Sequence, residues 1–178
     1  MSKIISLAFT NATNERHEEY NKWYDEQHII DALMIPGIKW GERYRLSTKS
    51  RNTFPYQYLA IYEIDDILKM QQEVAARAAT PLMPRSELMD ADRIFYEYEM
   101  VTPRITAEQA AAIRSVKPEL KSDISTSKII SLAFTNATNE RHEEYNKWYD
   151  EQHIIDALMI PGIKWGEQIG RASCRERV

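Results

Sequence analysis

The chain has 178 residues, 43% hydrophobic and 28% charged, with a formal charge of −4 and an isoelectric point near 5.6. That balance supports a buried core and argues against a basic nucleic-acid-binding surface, so no nucleic acid is expected as a partner. No apolar run approaches the roughly 18–20 residues that span a bilayer, the start MSKIISLAFTN lacks signal-peptide anatomy, and one cysteine builds no disulfide framework. A soluble, cytoplasmic protein without a membrane partner is the expectation.

These totals conceal a repeat. Residues 2–42, SKIISLAFTNATNERHEEYNKWYDEQHIIDALMIPGIKWGE, recur letter for letter as residues 127–167, an offset of 125. Two copies at a domain-sized period do not make a solenoid. Tandem domains ordinarily drift, since most surface substitutions are nearly neutral in stability. Perfect identity therefore points to a recent duplication or to a join in the sequence. The final IGRASCRERV reads as the translation of a sequencing-adapter strand, and Gln168, standing where the first copy has Arg43, fits a cut inside that arginine codon. Residues 168–178 are accordingly set aside as an adapter-like artefact, and Cys174, the only cysteine, goes with them. The expected division is a domain over 1–105, a short helix and linker over 106–126, an incomplete half-domain over 127–167, and the tail. Over residues 1–125 the charge remains negative, with 16 basic against 19 acidic side chains.

In chain order, Lys3 to Thr10 alternates Ile5, Leu7 and Phe9 with Ser6, Ala8 and Thr10, a strand. Thr13 or Asn14 is placed to cap a helix whose first turn carries Glu15, Glu18 and Glu19. Tyr20, Trp23, Tyr24, Gln27 and His28 share one side of that helix, and Pro36-Gly37 stops the segment. Ile38 to Leu46 alternates as a second strand, Ser47 to Pro55 is a polar turn region, and Tyr56 to Ile64 is a third strand. Asp65 or Asp66 caps a second helix striped by Ile67, Met70, Val74 and Ala78, closed by Thr80-Pro81. Arg93 to Met100 is the fourth strand; Thr106 to Val116 is a short, alanine-rich helix, and Lys117 to Thr126 reads as linker. The order βαββαβ predicts an α+β, ferredoxin-like sandwich. The copied fragment holds only strand, helix and strand, too little to complete a domain.

WYDEQHI (23–29), ALMIPG (32–37), ERYRLS (42–47), YLAIYEID (58–65) and ATPLMP (79–84) resemble the dimeric α/β-barrel superfamily, and within it the EthD-like small proteins. The resemblance spans nearly all of residues 3–101. It implies two ferredoxin-like subunits pairing their sheets into a barrel, with a ligand cleft between sheet and helices. It implies a homodimer, a small hydrophobic ligand, and a place for His28 at the HI of the helix motif. Related sequences commonly carry proline after that HI, where this chain has Ile30. Proline would end the helix there; without it the helix is free to run on toward Leu33. Pairing also follows from a four-stranded sheet rich in tyrosine on both faces, since contiguous apolar surface of that extent marks an interface or a ligand groove.

His28 is the candidate acid/base, because an imidazole with its ordinary pKa near 6.5 takes and returns a proton at neutral pH. Tyr24, one turn earlier, is the candidate hydrogen-bond donor to an enolate or phenolate oxygen. Trp23, Arg43, Tyr44, Tyr62 and Asn11 are candidate ligand-binding residues: aromatic walls, a cation for an anionic or carbonyl oxygen, and an orienting amide. Packing, strand charge and turn-making are the plainer roles for the same side chains. His17, among Arg16, Glu18 and Glu19, is expected to be solvated. No glycine-rich phosphate loop, G-x-S-x-G elbow or Cys/His cluster is present, and His17 and His28 lie about three helical turns apart, so no metal and no cofactor is expected. Two functions remain. One is a cofactor-independent cyclase, isomerase or oxygenase acting on an aromatic or polyketide-like compound. The other is a non-catalytic binding or accessory module of a degradation pathway. Haem ligation by His28 is a weaker third, which absence of a Soret band with added haemin would remove.

Overall fold

The computed structural model describes residues 3–101, 104–114 and 129–171. They form two compact units, one of residues 3–100 with 169–171 and one of 101–168.

In the first unit, β1 (Ile4–Thr10), β2 (Ile38–Arg45), β3 (Tyr58–Ile64) and β4 (Ile94–Met100) form an antiparallel sheet in the order β2-β3-β1-β4. With the helices between β1 and β2 and between β3 and β4, this is the α+β, ferredoxin-like split expected from the residue patterns. The first helical region has three parts: α1 (His17–Trp23), a π-helical turn over Tyr24–His28, and α2 (Ile29–Leu33). It runs on past His28, as Ile30 in place of proline allows. Thr13 and Asn14 do not cap it. They lie in a preceding 3₁₀ turn, with Asn14 left-handed at φ 50°, and no side chain caps α1. The second helix, α3 (Ile67–Arg77), starts as expected, with Asp66 accepting from the Lys69 amide at 2.9 Å.

Register divides the sheet's two faces. Residues paired across strands share a face, so Ile4, Ala8, Thr10, Tyr58, Ala60, Tyr62 and Ile64 lie under the helices and join Tyr20, Tyr24, Ala32 and Met70 in one core. The second face carries Ile5, Leu7 and Phe9, all buried, beside Leu59, Ile61, Trp40, Tyr44, Tyr96 and Tyr98. The sheet tyrosines are thus split, Tyr58 and Tyr62 on one side, Tyr44, Tyr96 and Tyr98 on the other. Ile169–Arg171, set aside in the sequence, forms β7 against the edge of β4, pairing with Tyr98–Met100. An open strand edge presents backbone donors and acceptors that accept such a segment whatever its side chains.

In the second unit β5 (Ile105–Thr106) leads into α4 (Ala107–Ile113), whose start is closed by a reciprocal pair between Thr106 and Gln109. The copied sequence supplies α5 (His142–Trp148), a π-helical turn over Tyr149–His153, α6 (Ile154–Leu158) and a two-residue β6 (Trp165–Gly166). Residues 129–137, identical to the part of the first copy that holds β1, form no strand. The expected linker lies largely outside the described residues, as do residues 172–178. No helix among the described residues is long and apolar enough to cross a membrane.

Candidate functional site

Trp23 and His28 are five residues apart, which on a regular α-helix would separate them by about 140°. The π-helical turn removes that offset. The amide of Ile29 bonds to the carbonyl of Tyr24, one residue further back than in an α-helix, and the wider turn brings the two side chains into register. The His28 ring then stacks on Trp23, centroids 4.7 Å apart and 26° between planes, and meets Tyr24 edge-on at 4.7 Å and 80°.

The sheet closes the group from below. Tyr62 of β3 reaches Tyr24, hydroxyl to hydroxyl at 3.2 Å. Gly41 of β2 makes room for the Tyr62 ring: a Cβ there would lie 2.7 Å from a ring carbon. Arg43 enters from the same strand face and lies 4.0 Å over the Tyr24 ring, donating to Asn21 Oδ1 at 3.0 Å and to Asp25. Its side chain is 11% exposed, so the guanidinium is an interior cation fixed by its fork of donors rather than a free surface charge. Alongside, Tyr20 and Thr10 share a buried hydroxyl bond of 2.6 Å.

These surroundings set the protonation states. His28 is pushed down to about 4, first by burial and then by the positive charges of Arg43 and Arg93. At neutral pH the imidazole is therefore uncharged, and the expectation of an ordinary histidine near 6.5 is corrected. Burial also raises Tyr20 to about 12 and holds Tyr24 well above its usual range. Tyr62 is raised by burial and pulled back by its bond to Tyr24 and by Arg43. One atom stands out in this network: Nδ1 of His28 is buried and has no hydrogen-bond partner among the described residues. An unmet buried polar atom costs about 1–3 kcal/mol.

Of the expected site residues, Trp23, Tyr24, His28, Arg43 and Tyr62 are brought together. Tyr44 is not, because it alternates to the sheet's second face and donates there to Glu42. Asn11 is held elsewhere by its bonds, donating to the Pro55 carbonyl at 2.9 Å and accepting from the Gln57 amide at 2.8 Å, so it pins the β2–β3 loop. His17, expected in solvent, is half-buried and bonded through Nδ1 to the Tyr58 hydroxyl at 3.0 Å. Asn21 and Asp25, which position Arg43, were not singled out by the sequence. The signal was there in their spacing, since both lie on the helix side that faces Arg43. Among the described residues no group of three or more His, Cys, Asp or Glu could hold a metal ion.

The fold and this site define an α+β protein of ferredoxin-like topology with a histidine held among aromatic rings beside an interior arginine. Among solved structures, the chain is similar to a DABB-family protein with a ferredoxin-like fold from Mesorhizobium loti, at 14% identity over 55% of this chain and 96% of that one, TM-score 0.42. It is similar to an EthD-family protein from Bacillus halodurans (14%, 53% and 96%, TM-score 0.37) and to a dimeric ferredoxin-like protein of unknown function from Thermobifida fusca (15%, 56% and 92%, TM-score 0.33). No family model and no curated protein matches the chain.

Proposed function

We propose that the cluster of Trp23, Tyr24, His28, Arg43 and Tyr62 binds a small aromatic or polyketide-like compound carrying a hydroxyl or keto oxygen. The observation that carries this reading is the buried, unpartnered Nδ1 of His28 among aromatic rings. A neutral imidazole nitrogen bonds equally well to a hydroxyl, as acceptor, or to a carbonyl, as donor. Flanking rings favour a flat apolar body, and the Arg43 charge favours an electron-rich oxygen. Chemistry on such a ligand is the second reading, supported by the same charge: a phenolate or enolate formed beside Arg43 is stabilised as it develops. A base pushed down to about 4 is weak, so proton abstraction by His28 would depend on that stabilisation. The unit would work as a homodimer through the aromatic second face of its sheet, in a cytoplasmic setting; sedimentation checks the pairing.

The test uses 2-naphthol as probe, read by the shift in Tm and by calorimetry, with the wild-type chain, His28→Gln, His28→Ala and Arg43→Lys. Binding by the wild type that falls about tenfold or more in both His28 variants supports the site. Naphthol affinity unchanged by either His28 variant overturns it. Turnover of a reactive analogue that falls in His28→Ala by more than the loss of affinity accounts for supports catalysis; loss of affinity without turnover by the wild type at any pH leaves the binding role alone.

A further inference from the structure

The two identical helices expose different faces. On α2, Ile30 is 52% and Leu33 37% exposed, while their counterparts on α6, Ile155 and Leu158, are 4% and 2% exposed. The covering element is α4, whose Ala110 is fully buried in one cluster with Ile154, Ile155 and Leu158. Arg114, at the end of α4, pairs with Asp156, the counterpart of Asp31. β5 meanwhile pairs with β6, Ile105 opposite Gly166 and Thr106 opposite Trp165, and the Ala107 amide bonds to the Lys164 carbonyl at 2.9 Å.

The same docking geometry is present in the first unit, unfilled by any of the described residues. Ile29 packs over Gly41 as Ile154 packs over Gly166, so helix and strand keep the same relation in both copies. β2 is the edge strand of its sheet. Leu46 donates to Gln57 at 2.7 Å, which by antiparallel alternation turns the Trp40 and Glu42 amides toward β3. The carbonyls preceding them across each planar peptide, those of Lys39 and Gly41, therefore point outward. These are the counterparts of Lys164 and Gly166, whose carbonyls face β5 in the second unit. Edge, helix face and acidic residue all correspond.

We infer that the exposed face of α2 and the open edge of β2 form a docking surface for residues 104–114 of a second copy of this chain, and that the copied residues 142–166 hold that segment within the chain by presenting the same surface. The copied fragment is thereby an internal competitor for an exchange between chains. Mass action decides between the two, since the internal surface is always at hand and the partner's depends on concentration.

The test uses the full chain in a Cys174→Ser background, with Leu33→Cys on one tagged chain and Ala110→Cys on a second, differently tagged one. Ile155→Asp with Leu158→Asp on both chains spoils the internal surface. The expected result is a several-fold rise in association over the unspoiled chain by light scattering at about 50 μM, with a disulfide between position 33 of one chain and 110 of the other. Replacing Leu33→Cys with Leu33→Asp and adding Ile30→Asp should reverse the rise. Should the double aspartate variant lose its helical circular dichroism, Asp156→Arg, which removes only the Arg114 pair, should give a smaller rise that Asp31→Arg cancels. No 33–110 cross-link in a helical, internally spoiled chain overturns the inference. So does a rise in association on spoiling the internal surface that comes without that cross-link, which belongs to another face. Naphthol binding at His28 is scored separately and is not expected to follow either outcome.

Discussion

Residues 13–33 and 138–158 are the same peptide in two settings, and their differences separate local from tertiary causes. Both copies place an asparagine at left-handed φ, Asn14 at 50° and Asn139 at 51°, and both widen into a π-helical turn. Both stack tryptophan on histidine, at 4.7 Å for Trp23–His28 and 4.6 Å for Trp148–His153. What differs is everything a sheet contributes. Tyr24 is 2% exposed and bonded to Tyr62, whereas Tyr149 is only half-buried; His28 is half-buried beside Arg43, whereas His153 is exposed. A local sequence can build half a site. Without β1 and β3 beneath it, the histidine keeps its ring partner and loses its burial.

The sharpest way to break this comparison is acid. The folded-state pKa of His28, about 4, lies below its ordinary 6.5, so the unfolded chain binds the proton first as pH falls. Its stabilising contribution is complete above about pH 6.5 and is lost on descending to about pH 4, at most about 3 kcal/mol. Urea unfolding across that window should show the loss, and His28→Gln should flatten it, with His153→Gln at an exposed position as control. A slope unchanged in His28→Gln would contradict the burial described for the first copy.

Glycine tests the sheet contact directly. Gly41→Ala puts a methyl 2.7 Å from the ring of Tyr62, itself held by Tyr24, and should destabilise by about 2–3 kcal/mol. Gly166→Ala meets Ile154 at 3.2 Å, a side chain able to shift, and should cost less than half as much in the same urea measurement. Smaller again is the hydroxyl pair. Tyr20→Phe leaves Thr10 unpaired in the core and should cost about 1–2 kcal/mol. Tyr145→Phe removes the equivalent bond to Thr135 at an exposed site and should stay within about 0.5 kcal/mol. At the cap of α3, Asp66→Ala frees the Lys69 amide to water and should lower stability by about 1 kcal/mol, read as a fall in Tm.

The strands were legible because β1 and β3 are short runs rich in β-branched and aromatic residues bounded by turn signals, and α3 because its stripe and its Asp66 cap agree. The π-helical turn was not, since WYDEQH reads as ordinary helix and the one-residue slip changes no residue type. Tyr44 and Asn11 entered the expected site because the sequence lists aromatics and amides without saying which sheet face or which loop receives them. Arg43 was legible only as a charge on a strand; that its fork would be taken by Asn21 and Asp25 depends on how the helix lies over β2.

By itself the sequence determined the repeated helices, the turn at Asn14 and the stacking of His28 on Trp23, because these depend on neighbours within a few residues and recur wherever the peptide occurs. Only the tertiary structure decided which copy has a strand, which face of the repeated helix is covered, and which histidine is half-buried beside an arginine. Burial and backbone pairing need partners from distant parts of the chain, and identical peptides do not receive identical partners.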